Sequence, residues 1–243
     1  MSHVEAHDLT VDSAVRLYEK HLDALQRVRA EQRELHDGGM RAQLDDIEAE
    51  LTYLRLREST PQTVVEVGSL HGWSTTWILR ALRDNGFGRL STFDIVGGAR
   101  RDVPADLADD RWTFVQGDVR DTVGAVPDGI DYLFVDAAHT ARFARWYLAE
   151  LLPRLRPGTP VSVHDVFHRA RPLPFSEGAV VLKWLADRGI DPFTAAKAAA
   201  ADTYERIMRA RIRLGITEPV HPGTANPMIF FRTPVTDPGA ALS

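Results

Sequence analysis

The sequence of 243 residues contains no cysteine. This absence excludes disulfide bonds, thiolate zinc sites and a cysteine nucleophile, so any bound metal must be held by oxygen or imidazole ligands. A net positive charge is also absent: the formal net charge is −5, and we expect no strongly basic surface for nucleic acid. No apolar run approaches the length of a membrane span, and residues 1–12 lack an apolar signal core. These absences predict a cytoplasmic protein whose partners are neither nucleic acids nor membranes.

A glycine motif at residues 64–74 is the most informative feature that is present. It predicts a buried strand, a glycine turn and the start of a helix. Gly68 and Gly72 occupy the turn, where glycine adopts backbone angles forbidden to other residues and lets a ligand approach closely. Ser69 lies in the same turn, and Ser74 can offer its hydroxyl to a ligand or to a helix cap.

Glu66, near the end of this strand, indicates which ligand the turn binds. Dinucleotide-binding turns follow the pattern G-x-G-x-x-G, whereas Leu70 occupies the middle position here. A carboxylate at the strand end would repel a pyrophosphate but would suit a ligand with a cationic amine or sulfonium. The segment resembles motif I of the class I S-adenosylmethionine (SAM)-dependent methyltransferases, in the variant without the middle glycine. This resemblance implies SAM as the cofactor.

From residue 63 onward, short apolar runs alternate with helical patterns. They predict parallel strands covered by helices on both faces, at residues 64–67, 90–93, 112–115, 132–135 and 161–163. A last strand, 228–231, is expected to complete the sheet edge. We therefore predict an α/β fold with a Rossmann-like, mostly parallel seven-stranded sheet and an N-terminal helical extension.

Two helical patterns, at residues 11–35 and 41–57, precede the glycine motif. The first carries an apolar stripe that must be buried. The stripe could pack on the catalytic domain, cap the active site or form a homodimer interface, and the sequence leaves these alternatives open.

These patterns lead to a prediction of the domain organisation. An N-terminal helical extension is expected at residues 1–60 and a SAM-binding catalytic domain at residues 61–243. A helical insertion is expected around residues 168–226, with one helix that starts near Ser176 and another at about residues 194–213.

Acidic residues follow most of the predicted strands, where the ligands of parallel sheets bind. Asp94 follows the second strand, and a carboxylate there can accept hydrogen bonds from both ribose hydroxyls of an adenosine. Asp118 follows the third strand and could cap a helix starting at Val119. The methyltransferase resemblance implies that Asp118 also accepts from the adenine amino group.

A carboxylate and an imidazole, Asp136 and His139, follow the fourth strand. If a helix begins there, both face one cleft, where Asp136 could bind a divalent metal and His139 could accept a hydroxyl proton. His164 and Asp165 end the fifth strand, and neighbouring strands lie about 4.8 Å apart, so these groups could share one ion. Taken singly, the two aspartates could also be helix caps and His164 a hydrogen-bonded core histidine.

Together these residues resemble the metal-dependent O-methyltransferases of class I, in particular the branch that acts on sugars and other small molecules of natural-product pathways. The resemblance covers residues 63–167 and implies metal ligands at Asp136, His164 and Asp165 with a catalytic base at His139. The family commonly has two acids or Asp-Asn where this chain has His164 and Asp165. Because Mg²⁺ prefers oxygen, His164 could instead orient water or substrate, or favour a softer metal.

The sequence therefore predicts a SAM-dependent O-methyltransferase that acts on a hydroxyl of a small molecule, such as a sugar or a polyketide, assisted by a divalent metal. One alternative is a SAM-binding protein of the same fold that catalyses a non-methylating cyclisation or rearrangement. A nicotinamide oxidoreductase is disfavoured by Glu66 and by the absence of G-x-G-x-x-G. No motif identifies the acceptor.

Overall fold

The computed structural model describes residues 9–223 and 225–234. The remaining parts of the predicted extension, insertion and catalytic domain, at residues 1–8, 224 and 235–243, lie outside the described residues.

One sheet of seven strands forms the centre of the protein. The strands are β1 (Thr63–Val67), β2 (Arg89–Asp94), β3 (Trp112–Gln116), β4 (Tyr132–Val135), β5 (Pro160–Val163), β6 (Phe193–Thr194) and β7 (Ile229–Arg232). Their order is β3-β2-β1-β4-β5-β7-β6. Strands β1 to β5 pair in parallel, and β7 runs antiparallel to both of its neighbours. The predicted α/β class and the mostly parallel seven-stranded sheet are confirmed.

The prediction for the sheet edge was wrong. The last strand, β7, lies inside the sheet between β5 and β6, and the two-residue strand β6 forms the edge. The helix expected at residues 194–213 begins only at Ala201, because Phe193 and Thr194 extend to pair with β7. Because β6 has only two residues, it cannot display the alternation of apolar and polar side chains from which a strand is predicted.

Helices cover the two faces of the sheet. They are α1 (Val11–Lys20), α2 (Leu22–Asp37), α3 (Asp46–Ser59), α4 (Trp73–Asn85), α5 (Gly98–Asp102), α6 (Ala105–Ala108), α7 (Ala141–Trp146), α8 (Glu177–Ala186) and α9 (Ala201–Arg213). The first predicted helix is interrupted at His21. The second starts at Asp46 rather than residue 41, because Asp45 caps it and forms a capping box with Glu48.

Alternating side chains of the strands divide the core into two layers. Val64 of β1 packs in the layer with the N-terminal helices and α4, whereas Val65 packs in the layer with α7 and α8. Tyr18 and Leu25 of the predicted apolar stripe are fully buried in the first layer. At these two positions the stripe therefore packs within the chain, in the layer that also contains α4. Among the described helices, none is both long and apolar enough to cross a membrane.

Candidate functional site

A cavity of about 780 Å³ opens at the carboxyl ends of β1, β2 and β4, which is where parallel sheets bind ligands. It is lined by most of the predicted site residues: Gly68, Ser69, Ser74, Asp94, Asp118, Asp136, His139, His164 and Asp165. A larger cavity of about 1300 Å³ lies at the opposite end of the sheet, beside Gln62 and Asp131. We place the functional site in the smaller cavity, because the candidate groups converge there.

The glycine turn packs closely against the ends of β2 and β4. Gly68 has a φ of 86°, and a Cβ added to it would lie 1.9 Å from the carbonyl oxygen of Asp136. Its N–H donates to the carbonyl of Phe93 at 2.8 Å. Only glycine fits here without moving the backbone that carries Asp136. Gly72 instead packs against Val103 and does not line the cavity.

Asp94 holds the glycine turn in place from the end of β2. Its Oδ2 accepts hydrogen bonds from the backbone N–H groups of Ser69, at 2.6 Å, and Leu70, at 2.7 Å. Its Oδ1 accepts from the N–H of Val96 at 2.8 Å. The carboxylate thus orders two loops at the cavity edge, while its contact with a ribose stays a prediction.

Glu66 lies beneath the turn and does not line the cavity. Its side chain is fully buried and accepts hydrogen bonds from three hydroxyls: Ser74 at 2.6 Å, and Thr75 and Thr92 at 2.7 Å each. Burial raises the pKa of the carboxyl to about 7, although the three donors favour the charged form. Glu66 therefore acts on the cavity indirectly: it accepts a hydrogen bond from Ser74 and so orients a hydroxyl that lines the cavity.

Asp118 borders the cavity at the end of β3. Its oxygens lie 2.9 and 3.0 Å from Nε of Arg120, and this guanidinium lowers the pKa of the carboxyl. The helix predicted to start at Val119 is absent from this described segment: a turn is followed by a 3-10 helix, Val123–Ala125. Because the Asp118 carboxylate accepts from the N–H of Arg120, it closes the turn locally. Its contact with adenine stays a prediction.

Asp136, His139 and Asp165 lie close together in the wall of the cavity. One ligand atom from each lies within 4.8 Å of the others. The Nε2 atom of His139 is 3.6 Å from Oδ1 of Asp136 and 3.4 Å from Oδ2 of Asp165. Two carboxylates and an imidazole at this spacing could hold a divalent cation.

The local backbone explains how His139 reaches this group. The condition considered from the sequence, a helix that begins directly at the end of β4, is not met: α7 starts at Ala141, with Thr140 as its N-cap. Ala138 and His139 are both left-handed, with φ of 58° and 40°, and this turn directs the imidazole back over Asp136. Left-handed backbone at residues other than glycine is strained and is concentrated at functional sites.

His164 is buried and held from both sides. Its Nδ1 lies 3.1 Å from Oδ1 of Asp136, and its Nε2 lies 3.2 Å from Oε2 of Glu48. Burial opposes charge on the ring, but the two carboxylates raise the pKa of His164 well above its ordinary value. A ring that donates from both nitrogens has no lone pair for a metal. His139 joins the two aspartates in the group that could hold a metal, and Nδ1 of His164 also lies 3.1 Å from Asp136 and 3.5 Å from Asp165. The metal contact of His164 stays a prediction.

Three side chains at the site were not recognised from the sequence. Gln43, which precedes α3, lines the cavity. Glu48 contacts His164 from the first turn of α3, and Glu177 of α8 lies 3.4 Å from Nδ1 of His139. The spacing of Asp45 and Glu48 is a capping-box signal that could have located the start of α3. It could not have shown that the same glutamate contacts His164.

Comparison with known proteins extends these observations. A family model described as a methyltransferase domain matches residues 65–166. A solved O-methyltransferase of Bacillus cereus in complex with S-adenosylhomocysteine (SAH) is similar, with 17% identity, a TM-score of 0.51, and coverage of 92% of this chain and 100% of that chain. A search of curated proteins found no significant match.

Two further structures are similar. A methyltransferase of Geobacter sulfurreducens has a TM-score of 0.55 at 17% identity, covering 86% of this chain and 90% of that one. An SAH-bound methyltransferase of Podospora anserina has a TM-score of 0.51 at 19% identity, covering 71% of this chain and 82% of that one. At such identities the likeness shows the fold.

The family match contains the features that define the cavity. It runs from β1 to the segment just after β5, and thus includes the glycine turn, Asp94, Asp118 and the group around Asp136. The match agrees with the resemblance noted from the sequence: residues 65–166 are similar to a methyltransferase domain, and the solved methyltransferases share the fold.

Proposed function

We propose that the protein transfers a methyl group from SAM to a hydroxyl of a small molecule, with Asp136, His139 and Asp165 at the reacting end of the cavity. One observation carries this proposal: two carboxylates and an imidazole converge in the same cavity as the glycine turn. The turn suits the cofactor, and the convergent group suits an acceptor hydroxyl.

The cavity fits SAM in size and charge. Its volume of about 780 Å³ is in the usual range for small-molecule sites. Asp94 and Asp118 line it, and acidic walls favour a ligand with a sulfonium and an ammonium. When bound, SAM supplies a methyl group that is already electrophilic, so the protein has only to align an oxygen and remove its proton.

The donor set at the other end of the cavity fits a divalent metal. Mg²⁺ prefers oxygen, so Asp136 and Asp165 would hold it through their carboxylates. A metal at this position would lower the pKa of a hydroxyl bound next to it. His139 is the less suitable ligand for Mg²⁺, and this leaves its imidazole available as the base.

In this proposal, His139 takes the acceptor proton on Nε2. Because Nε2 lies 3.4 Å from Asp165 and 3.6 Å from Asp136, a hydroxyl held at these carboxylates comes within its reach. Glu177 and the two aspartates raise the pKa of His139 despite its partial burial. Negative charges around the ring stabilise the imidazolium that proton capture produces.

The acceptor is expected to be small. Sugars, polyketides and related natural products with a free hydroxyl are the compounds to test, as the sequence resemblance implies. A homodimer through the N-terminal helices, one of the alternatives that the sequence left open, has less support, because Tyr18 and Leu25 of the stripe are already buried within one chain. The cytoplasmic location stays a prediction.

The proposal is tested by measuring SAH formation. The purified protein is incubated with SAM and hydroxylated acceptors, with EDTA, Mg²⁺ or Mn²⁺, and products are identified by mass spectrometry. We expect SAH and a product heavier by one methyl group, and loss of both after chelation. Turnover that survives exhaustive chelation would contradict the metal. A rearranged product without SAH would instead support the non-methylating alternative. Calorimetry with SAM and NAD tests cofactor choice.

A further inference from the structure

We propose that Gln43 binds the α-carboxylate of SAM through its side-chain amide. The inference rests on SAM as the cofactor of the proposed function. It assigns a contact to a residue that lies outside the matched family segment. Gln43 belongs to the segment between α2 and α3 and lines the same cavity as the glycine turn.

The position of Gln43 is fixed by its neighbours in the chain. The carbonyl of Leu44 accepts a hydrogen bond from Nε1 of Trp73 at 3.2 Å, and Trp73 is the first residue of α4. Asp45 caps α3 and accepts from the N–H of Asn226 at 3.2 Å. Leu44 and Asp45 are both buried. The backbone next to Gln43 is therefore held at the start of α4, beside the glycine turn.

The order of the strands places Gln43 at one end of the cavity. Asp118 follows β3, whereas His164 follows β5, on the other side of β1. Glu48, in the first turn of the helix that follows Gln43, contacts His164. Gln43 thus lies on the side of β1 and β5, away from Asp118. With adenosine at the predicted Asp94 and Asp118, the methionine part of SAM extends towards Gln43.

The methionine part of SAM carries two opposite charges. Its ammonium suits the acidic wall, but its carboxylate is repelled by Asp94, Asp136 and Asp165, which line the same cavity. A carboxylate in this place needs a hydrogen-bond donor. The amide of glutamine offers two N–H donors and carries no charge that the surrounding acids would neutralise.

The hydroxyls near the glycine turn already donate to acids. Ser74 donates to Oε1 of Glu66 at 2.6 Å, and Ser69 donates to Oδ2 of Asp94 at 3.2 Å. The half-buried amide of Gln43 differs, because it makes no hydrogen bond within the described part of the chain. Its donors are therefore available to a ligand in the cavity.

One other hydroxyl in the cavity wall has an available proton. Thr140 accepts from the N–H of Phe143 at 3.2 Å and caps α7, directly after His139. This hydroxyl belongs to the acceptor side of the cavity. Gln43 is the better placed donor for the cofactor.

Two substitutions test the contact. Gln43→Leu keeps the approximate size of the side chain but removes both N–H donors. Gln43→Glu replaces the amide by a carboxylate, which repels the carboxylate of SAM and attracts its ammonium. Both variants are expected to fold, because the amide has no hydrogen bond to lose in the described part of the chain, and thermal unfolding checks this. Gln26→Leu, at an exposed glutamine of α2, is the matched control.

Calorimetry of the metal-free protein compares SAM with decarboxylated SAM, which keeps the sulfonium and the amine but lacks the carboxylate. We expect SAM binding to weaken about tenfold in Gln43→Leu, because a hydrogen bond to a charged group is lost, and about a hundredfold in Gln43→Glu, because repulsion is added. The affinity for decarboxylated SAM should change by less than about twofold in Gln43→Leu and should not fall in Gln43→Glu. The control should match the wild type for both ligands.

The comparison of the two ligands decides the inference. Equal weakening of both ligands in Gln43→Leu would overturn it, because the side chain would then act by its shape. Unchanged SAM affinity with a raised KM for the acceptor would also overturn it, by assigning Gln43 to the acceptor. A wild type that does not bind SAM would refute the inference together with the choice of cofactor. A protein that binds SAM but methylates no acceptor would contradict only the proposed function, and the two ligands would still decide the role of Gln43.

Discussion

The carboxylate of Glu48 lies 3.2 Å from Nε2 of His164, although 116 residues separate them. Glu48 belongs to α3, before the first strand, and His164 directly follows β5. This contact holds one ring nitrogen of His164, while the other faces Asp136 at 3.1 Å and Asp165 at 3.5 Å. The histidine acts as a charged link between Glu48 and Asp136.

Replacing His164 should therefore damage stability more than metal binding. His164→Ala leaves two buried carboxylates facing each other, and we expect the free energy of unfolding to fall by about 3 kcal/mol. Urea denaturation measures this loss. Calorimetry with Mn²⁺ should show affinity within about fivefold of the wild type. His168→Ala, at an exposed histidine of the following loop, is the matched control. A stable variant that no longer binds metal would restore His164 as a ligand.

Replacing His139 should lower turnover without weakening SAM binding. His139→Ala removes the base but no contact with the glycine turn, so we expect turnover to fall about a hundredfold or more while SAM affinity stays nearly constant. Single-turnover kinetics and calorimetry measure the two quantities. Unchanged turnover would remove His139 from the mechanism. Loss of metal affinity in this variant would show that the imidazole is a ligand.

Gly68 of the glycine turn is in close contact with the backbone of Asp136. Gly68→Ala would place a Cβ 1.9 Å from the carbonyl oxygen of Asp136. We expect the free energy of unfolding to fall by about 2 kcal/mol and both SAM affinity and kcat to decrease. The control is Gly124→Ala, because an added Cβ there meets no atom within 4 Å. Equal behaviour of the two variants would refute the close approach.

Glu66 should make stability depend on pH. Burial raises its pKa from 4.5 to about 7, so the folded protein binds more protons than the unfolded chain between these pH values. Stability must then fall as the pH rises from about 4.5 to 7, by about 3 kcal/mol from this group. Glu66→Gln cannot ionise and should flatten that part of the curve. Thermal unfolding from pH 5 to pH 8 measures it. A slope identical to the wild type would contradict a buried, titrating Glu66.

The parts of the fold that were predicted correctly are those with local signals. The strand before Asp136 is a continuous apolar run, and the strands at Glu66 and Asp94 are rich in β-branched and aromatic residues. Both patterns indicate strands of a buried sheet. The start of α8 was also predicted, because Ser176 is a strong N-cap. These signals located the cavity and most of its walls.

The parts that were missed depend on contacts between distant segments. His139 and His164 face Glu177 and Glu48, which belong to helices on either side of the matched segment. Nothing near either histidine in the sequence distinguishes a ring that faces the cavity from one held between two acids. The turn at Asp118 was missed for a different reason: Arg120 competes for the carboxylate that would otherwise cap a helix.

The two carboxylate oxygens of Glu48 bind residues that are synthesised long after it. Oε1 accepts from the N–H of Met228 at 3.0 Å, while Oε2 contacts His164. During synthesis Glu48 is made early, but its contact with Met228 can form only after the segment leading into β7 has left the ribosome. Domains usually fold as units during synthesis. In this protein the contacts of Glu48, the partner of His164, stay incomplete until Met228 and β7 have been synthesised, so a chain that lacks β7 would lose a support of His164 as well as a strand.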